Sequence, residues 1–405
     1  MRRQVQGRIA GKSGSLRLDR AVMGNSGRLR GAGRIAVTFL VAAGLVWGAG
    51  CASSETEVDT TVGEQNTTAP STAATTTSAT EVTETIYPGE ATNVTPSTAP
   101  FTKMDKLTLV APAGPMAIPL AYLAINNRLT EVAEETELAI WQNADQLKAM
   151  VAGEQGDFVT MPSNTAAIFY NKDLKLRLLN ISVWNITYLI TTGADVADFS
   201  DIKGQSLVAS LQGSVPDVMF QYIAMKEGLD PEKDFDLQYV GEPTQAAQLL
   251  LTGKVENAVL SEALATSALL QTETAEKPLY RAFPFDQAWE RATGGSALST
   301  IAGTVATGRV MDRPAVLAVF EREYEAAVEW MLANPTEAGQ LVETDLPQLG
   351  LKAPVMTASL KSITWNYTPA TEARTNLEAF YTALSELSPQ VIGGQLPDDG
   401  FYYTP

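Results

Sequence analysis

From about Lys106 onward, short apolar runs alternate with longer stretches in which apolar positions recur every three or four residues. "KLTLVAP" (106–112) predicts a strand, and "PMAIPLAYLAINNRL" (115–129) predicts a helix with proline near its start. "ELAIWQ" (137–142) reads as strand and "ADQLKAMVAG" (144–153) as a helix closed by glycine. "GDFVTMP" (156–162) is strand again and "SNTAAIFYNK" (163–172) helix, before two more strands in "LRLLNISVW" (176–184) and "ITYLITTG" (186–193). Alternation of this kind predicts an α/β fold with parallel sheets covered by helices on both faces.

The clearest helix lies in 213–231. Ser214 can cap it, Pro216 suits its first turn, Asp217 complements its positive end, and Gly228 ends it. Val215, Val218, Met219, Tyr222 and Ile223 form one apolar stripe, which predicts a core face. Leu317, Phe320, Tyr324, Val328 and Met331 form another within 313–335. Some 300 residues exceed the usual size of a single core, so two lobes are expected. No Gly/Ser linker separates them, which predicts lobes joined by crossing strands, near 189–196 and 299–307. "GGSAL" (294–298) marks a lobe boundary. The expected organisation is a first lobe over 104–191, a second over 192–298, and a return to the first with C-terminal helices over 299–405.

Residues 2–34 hold nine Lys/Arg and one acid, Asp19, and are followed by the apolar run 35–47 and the small residues Gly48, Ala49 and Gly50. A basic region, a short apolar region and a small-residue site describe an export signal over 1–50. The apolar run is too short to span a bilayer, which takes about 20 residues. Cys51, the only cysteine, stands directly after it, as in a lipoprotein signal whose cysteine is acylated. Residues 51–103 are rich in Thr, Ser, Ala and Pro with few large apolar side chains, the composition of a disordered spacer. Fifty such residues reach roughly 40 Å, enough to hold a domain clear of a membrane.

Without the nine basic residues and Asp19 of the leader, the chain's 29 Lys+Arg and 46 Asp+Glu become 20 and 45, a net charge near −25. Such a surface repels nucleic acid and anionic headgroups. The chain contains no histidine, which excludes Ser-His-Asp and Cys-His catalysis and most zinc sites. Carboxylate catalysis stays open.

Open α/β sheets bind ligands beyond the carboxyl ends of their strands. Those places are "PAGPM" (112–116), "QNAD" (142–145), "MPSNT" (161–165), "SLQGSV" (210–215) and "LSEAL" (260–264). The candidate ligand-binding residues there are Gly114, Pro115, Met116, Ser163, Asn164, Thr165, Gln212, Gly213, Ser214 and Glu262. Trp141, Trp184 and Tyr188 lie at or near strand ends and could stack on a planar ligand. Backbone N–H groups at helix starts suit a carboxylate, sulfonate or carbonyl. Ser163, Asn164 and Ser214 could equally be helix caps, the three aromatics core residues, and Glu262 an ordinary first-turn acid. No Lys or Arg sits in these loops, which favours a neutral or zwitterionic ligand, or an amino group facing Glu262. No cofactor or metal is expected.

Four segments carry a resemblance. "MPSNTAAIFYNKDLKLRLLNISVWNITYLIT" resembles the first-lobe core of the nitrate/sulfonate/taurine-type solute-binding proteins of ABC importers, and "LQGSVPDVMFQYIAMKEGLDPEKDFDLQYV" resembles their second-lobe opening. "LLTGKVENAVLSEALAT" is similar to a segment that usually reads Gly-x-x-Asp-Ala and then Glu-Pro, with Asn257 and Ala263 here in place of Asp and Pro. The ending "IGGQLPDDGFYYTP" is similar to a subgroup of the family. The resemblance covers about 105–405. It implies a type II periplasmic-binding-protein fold, two α/β lobes joined by two hinge strands, closing on a small-molecule ligand and presenting it to an ABC permease and its ATPase. A lipid-anchored monomer on the outer face of the cytoplasmic membrane is the implied form, with Cys51 the tether. The same superfamily contains enzymes of thiamine-pyrimidine and menaquinone precursor chemistry, and stand-alone sensing lipoproteins remain a third class. The pyrimidine synthases depend on a histidine that this chain lacks. Family analogy points to small sulfonates or related anions, whereas the cation-free loops and Glu262 point to a planar amine such as an aminopyrimidine.

Overall fold

The protein is described by a computed structural model over residues 102–405. The expected leader, Cys51 and the expected spacer up to Phe101 lie outside the described residues.

The strands form two sheets. In the first the order is β11 (Thr364–Pro369), β4 (Leu176–Asn185), β10 (Ala302–Thr307), β3 (Phe158–Pro162), β1 (Met104–Pro112) and β2 (Ala133–Trp141). The second runs β7 (Asp236–Val240), β6 (Ser206–Ser210), β8 (Asn257–Ser261), β5 (Thr187–Thr191) and β9 (Tyr280–Pro284). β1 pairs in parallel with β2 and β3, as β6 does with β7 and β8, while β10 and β5 run antiparallel to both their neighbours. The two lobes therefore repeat one strand order. Central strands such as β1 and β4 are buried on both faces, which explains why "LVA" (109–111) carries no polar residue and why Asn180 and Ser182 of β4 find partners inside the protein, in Glu321 and Tyr324.

Helices α1 (Ile118–Ile125), α2 (Ala144–Ala152), α3 (Ser163–Tyr170), α8 (Pro314–Ala333), α9 (Pro335–Asp345) and α10 (Ala353–Ser362) accompany the first sheet. The second carries α4 (Val215–Lys226), α5 (Pro243–Leu251), α6 (Leu264–Thr272) and α7 (Phe285–Ala292). The expected stripes face the core: on α4 Val218, Met219, Tyr222 and Ile223 are buried and Val215, in the first turn, is half-buried, and on α8 Leu317, Phe320, Tyr324, Val328 and Met331 are buried. Phe320 stacks on Phe158 of β3 with centroids 3.7 Å apart. Full burial of such a side chain contributes about 1.5–3 kcal/mol. The last helix, α11 (Ala370–Leu387), packs against both lobes. Its Phe380 meets Trp289 of α7 at 5.1 Å, and Trp289 meets Tyr222 of α4 at 4.8 Å.

The chain leaves the first sheet at Asn185 and enters the second at Thr187, with only Ile186 between. This differs from the expected crossing at 189–196, because Thr187–Thr191 already pairs with β8 and β9. The chain is buried without a break from Leu178 to Thr191, and polar residues such as Asn180 and Ser182 also occur inside β4, so neither burial nor polarity marks the break. The mark is Asn185, whose side-chain oxygen accepts from the Thr187 N–H at 3.1 Å and turns the chain. The return passes through 293–301, just before β10 rather than within it. Gly303 at the β10 bulge is obligatory, since a Cβ there would lie 1.8 Å from the Asn180 carbonyl oxygen.

Under β4 lies a polar network. Glu321 accepts from the Asn180 amide and the Tyr367 hydroxyl, both at 2.8 Å, and burial pushes its carboxyl up to about 7. A carboxyl raised in the folded state binds its proton more tightly there than in the unfolded chain. Its contribution to stability is therefore present at low pH and is lost as pH rises from the ordinary carboxylate range toward 7. Urea titrations of wild type and Glu321→Gln across pH 4–8 are expected to diverge in this sense, with the wild type losing stability relative to the variant as pH rises. Parallel curves would remove Glu321 as the cause.

Candidate functional site

The crossings divide the edge that each lobe presents to the other. On one side lie the carboxyl ends of β1, β2 and β3 in the first lobe and of β6, β7 and β8 in the second. β11 and β9 lie on the far side. Parallel α/β sheets collect ligand loops at such ends, here on both walls of an interlobe cleft. The walls are tied to the crossings by backbone hydrogen bonds: Ser163 N–H to the Ile301 carbonyl (2.9 Å), Ile301 N–H to that of Val183 (2.9 Å), and Glu262 N–H to that of Ile186 (2.9 Å).

In the first lobe, Gly114 takes φ 146°, a conformation that favours glycine, and opens the turn Pro115–Ala117. Met116 is half-buried there, and it and Ala263 of the second lobe pack against the same first-lobe core. Trp141 is half-buried at the end of β2, and its indole N–H donates to the Thr160 carbonyl at 3.1 Å. Asn143 caps α2 by accepting from the Gln146 N–H at 2.9 Å.

α3 and α4 lack such caps. Pro162 occupies the cap position of α3, and no side chain caps that helix. Ser163 is buried with its hydroxyl donating to the Thr300 carbonyl, and Asn164 donates to the Val391 carbonyl at 2.9 Å. Both side chains thus tie the first lobe together, which neither capping nor ligand contact anticipated. Thr165 stands half-exposed beside them. At α4, Ser214 holds the cap position without a capping bond; its hydroxyl lies 3.5 Å from the Ser210 carbonyl. Gln212 and Gly213 are exposed. The loop is braced from below by Asp217, which is buried and accepts from the Gly213 N–H and the Tyr239 hydroxyl, each at 2.7 Å. Leading N–H groups of two helices, one per lobe, are left to a ligand or solvent.

Glu262 follows the second of its two readings, an acid at the start of the next helix, rather than facing an amine. Its side chain is buried and forms an ion pair with Arg281 of β9 at 2.5 Å, while its other oxygen accepts from the Thr266 N–H at 3.3 Å. Arg281 also donates to the Thr266 hydroxyl at 3.0 Å and lies 4.0 Å over the Tyr188 ring. The carboxylate has its cation already, so the loops' lack of Lys and Arg does not leave it free for an amine. Arg281 was not legible as its partner, since it sits in another strand 19 positions along the chain.

Trp184 and Tyr188 are buried and committed elsewhere. Trp184 donates to the Asn366 carbonyl at 2.8 Å, and Tyr188 to that of Ser362. Burial pushes the Tyr188 hydroxyl up to about 12, against the pull of Arg281. Trp184 faces a cavity of about 460 Å³ on the far side of the crossings, lined also by Asp286, Glu290, Ser299, Thr364 and Glu372. Among the described residues, no group of three or more Cys, Asp or Glu is placed to hold a metal ion, and no helix is long and apolar enough to cross a membrane.

No protein-family model matches the sequence, and no curated protein sequence matches it either. Solved structures do match in fold. An ABC transporter protein from Parabacteroides distasonis superposes with a TM-score of 0.61 at 22% identity, covering 74% of this chain and 99% of that one. The periplasmic aliphatic sulphonate binding protein SsuA of Escherichia coli gives 0.57 at 14% identity, over 74% and 92%. The alkanesulfonate-binding protein SsuA of Xanthomonas axonopodis pv. citri, bound to MOPS, gives 0.53 at 13%, over 74% and 96%. The chain has the type II periplasmic-binding-protein fold, two α/β lobes joined by two crossings.

Glu262→Gln leaves the Arg281 guanidinium without its anion and is expected to destabilise the protein by about 3 kcal/mol in chemical denaturation. Glu262→Gln/Arg281→Met is expected to recover part of that loss. A single variant as stable as wild type would show that the pair contributes nothing.

Proposed function

We propose that the protein is the solute-binding component of an ABC importer, capturing a small solute between its lobes and delivering it to the permease. The observation that carries this reading is the two-lobed fold itself, which gathers helix N-termini without side-chain caps, α3 in one lobe and α4 and α5 in the other, at the carboxyl ends of β3, β6 and β7. Open N–H groups and helix dipoles hold a compact acceptor head, and hinged lobes convert capture into a change of shape. With Glu262 neutralised by Arg281, a small anion such as a sulfonate fits this cleft better than an amine. The names of the two SsuA structures agree with that class. The absence of histidine supports binding rather than the pyrimidine-synthase chemistry of the same superfamily.

The proposal includes export and a lipid on Cys51, which would hold a monomeric receptor at the membrane face where its permease lies. A Cys51→Ser chain is expected to leave the detergent phase in which the wild type partitions; equal partitioning would contradict the anchor.

The main test is a thermal-shift screen of the full chain against alkanesulfonates, nitrate, bicarbonate, small amino acids and aminopyrimidines. A solute at 100 times its Kd stabilises by about 2.7 kcal/mol, or about 5–10 °C for a domain of this size. One responding class, with anions ahead of amines, is the expected result. No response, with native mass spectrometry showing no solute already bound, would contradict the function.

A further inference from the structure

The two lobes also meet on the side away from the cleft, and a side-chain bond joins them there. Thr364, the first residue of β11 in the first lobe, donates its hydroxyl to Asp286 of α7 in the second at 2.8 Å. Sheet order places both partners beyond the crossings. β4 and β10 stand between β11 and the strands β3, β1 and β2, while β5 stands between β9 and the strands β8, β6 and β7. α7 follows β9 directly. Thr364 pairs with Asn185, the last residue of β4, so it lies one strand spacing, about 5 Å, from the crossing.

The same gap holds charge of one sign on both walls. Asp286 and Glu290 of α7 and Glu372 of α11 line the cavity of about 460 Å³ beside Trp184, and no Lys or Arg lines it. Like charges on facing walls push those walls apart. The Thr364 hydroxyl draws them together, by binding an acid of the opposite wall. Turning the lobes about the crossings so that the cleft narrows widens this gap. At a radius of about 5 Å, a turn of roughly 10° moves Thr364 by about 1 Å, enough to lose a hydrogen bond. The apolar contact of Trp289 with Phe380 of α11 is less directional and can slide. We infer that the Thr364–Asp286 bond is a latch that holds the cleft open against the repulsion of Asp286 and Glu290 from Glu372. The far side of the crossings then sets how readily the lobes close. This rests on the solute-binding reading above and adds to it a control placed outside the cleft.

The test measures the lobe angle without solute. In a full chain carrying Cys51→Ser, spin labels are placed at Lys148→Cys on α2 and Gln248→Cys on α5. Both positions are exposed, on the helices that follow β2 and β7, the outer cleft-side strands of the two sheets. Double electron–electron resonance is expected to show the ratio of short to long distances rising about fivefold in Thr364→Val, as the loss of one hydrogen bond allows. Thr364→Ser keeps the hydroxyl and is expected to match the wild type. Thr364→Glu loses the bond and adds a like charge. It is expected to exceed Thr364→Val at low salt and to fall back to it in about 1 M salt. With ethanesulfonate as the probe solute, Kd is expected to fall about fivefold in Thr364→Val, since apparent affinity scales with the population competent to bind. Equal distance distributions in wild type and Thr364→Val, a shift to longer distances, or a shift without a change in Kd would overturn the inference. A shift to shorter distances with no binding of ethanesulfonate to any of the chains would support the latch and count against the sulfonate reading alone.

Discussion

The arrangement depends on how the chain crosses between its lobes. A single residue, Ile186, separates a strand of one sheet from a strand of the other, and the return segment runs alongside. The carbonyls of Val183, Ile186 and Ile301 accept from Ile301, Glu262 and Ser163. The helix starts α3 and α6 are thereby fixed to the crossings by main-chain bonds, independent of the side chains that line the cleft. Sequence in the loops can then vary without moving the walls, which suits a fold that serves many solutes.

Electrostatics in the cleft follows from what has been neutralised. The acid that stands in the β8–α6 loop is paired with a guanidinium stacked on Tyr188, so charge there is internally balanced. Asp217 is turned inward to brace its own loop. Helix starts at these strand ends, those of α3, α4 and α5 among them, carry no side-chain cap, and under the proposed function their backbone N–H groups would meet a compact acceptor without a cationic side chain. The far side of the crossings has the opposite character, with Asp286, Glu290 and Glu372 around the cavity beside Trp184.

Much of the fold was legible in the sequence because it is written in local periodicity. The strands β1 to β5, the apolar stripes of α4 and α8 and the loop positions at strand ends all follow from apolar spacing and helix start signals. The crossing was placed too late because Ile186 sits in a stretch buried without a break from Leu178 to Thr191, whose strands already contain Asn180 and Ser182, so that Asn185 does not stand out as the turn that changes sheet. The side-chain roles of Ser163, Asn164 and Glu262 were not legible, because their partners Thr300, Val391 and Arg281 lie in other elements, 137, 227 and 19 positions away in the chain. The positive φ of Leu211 could not be read either, since leucine is the residue that local propensity would exclude from that conformation.

The measurement that bears most directly on the account is a crystal structure of the protein with a solute bound. The account predicts the solute between the lobes, its acceptor head within hydrogen-bond distance of the leading N–H groups of α3 at Asn164 or Thr165 and of α4 at Val215. A solute seated instead in the cavity beside Trp184 and Asp286, with only water between α3 and α4, would contradict it.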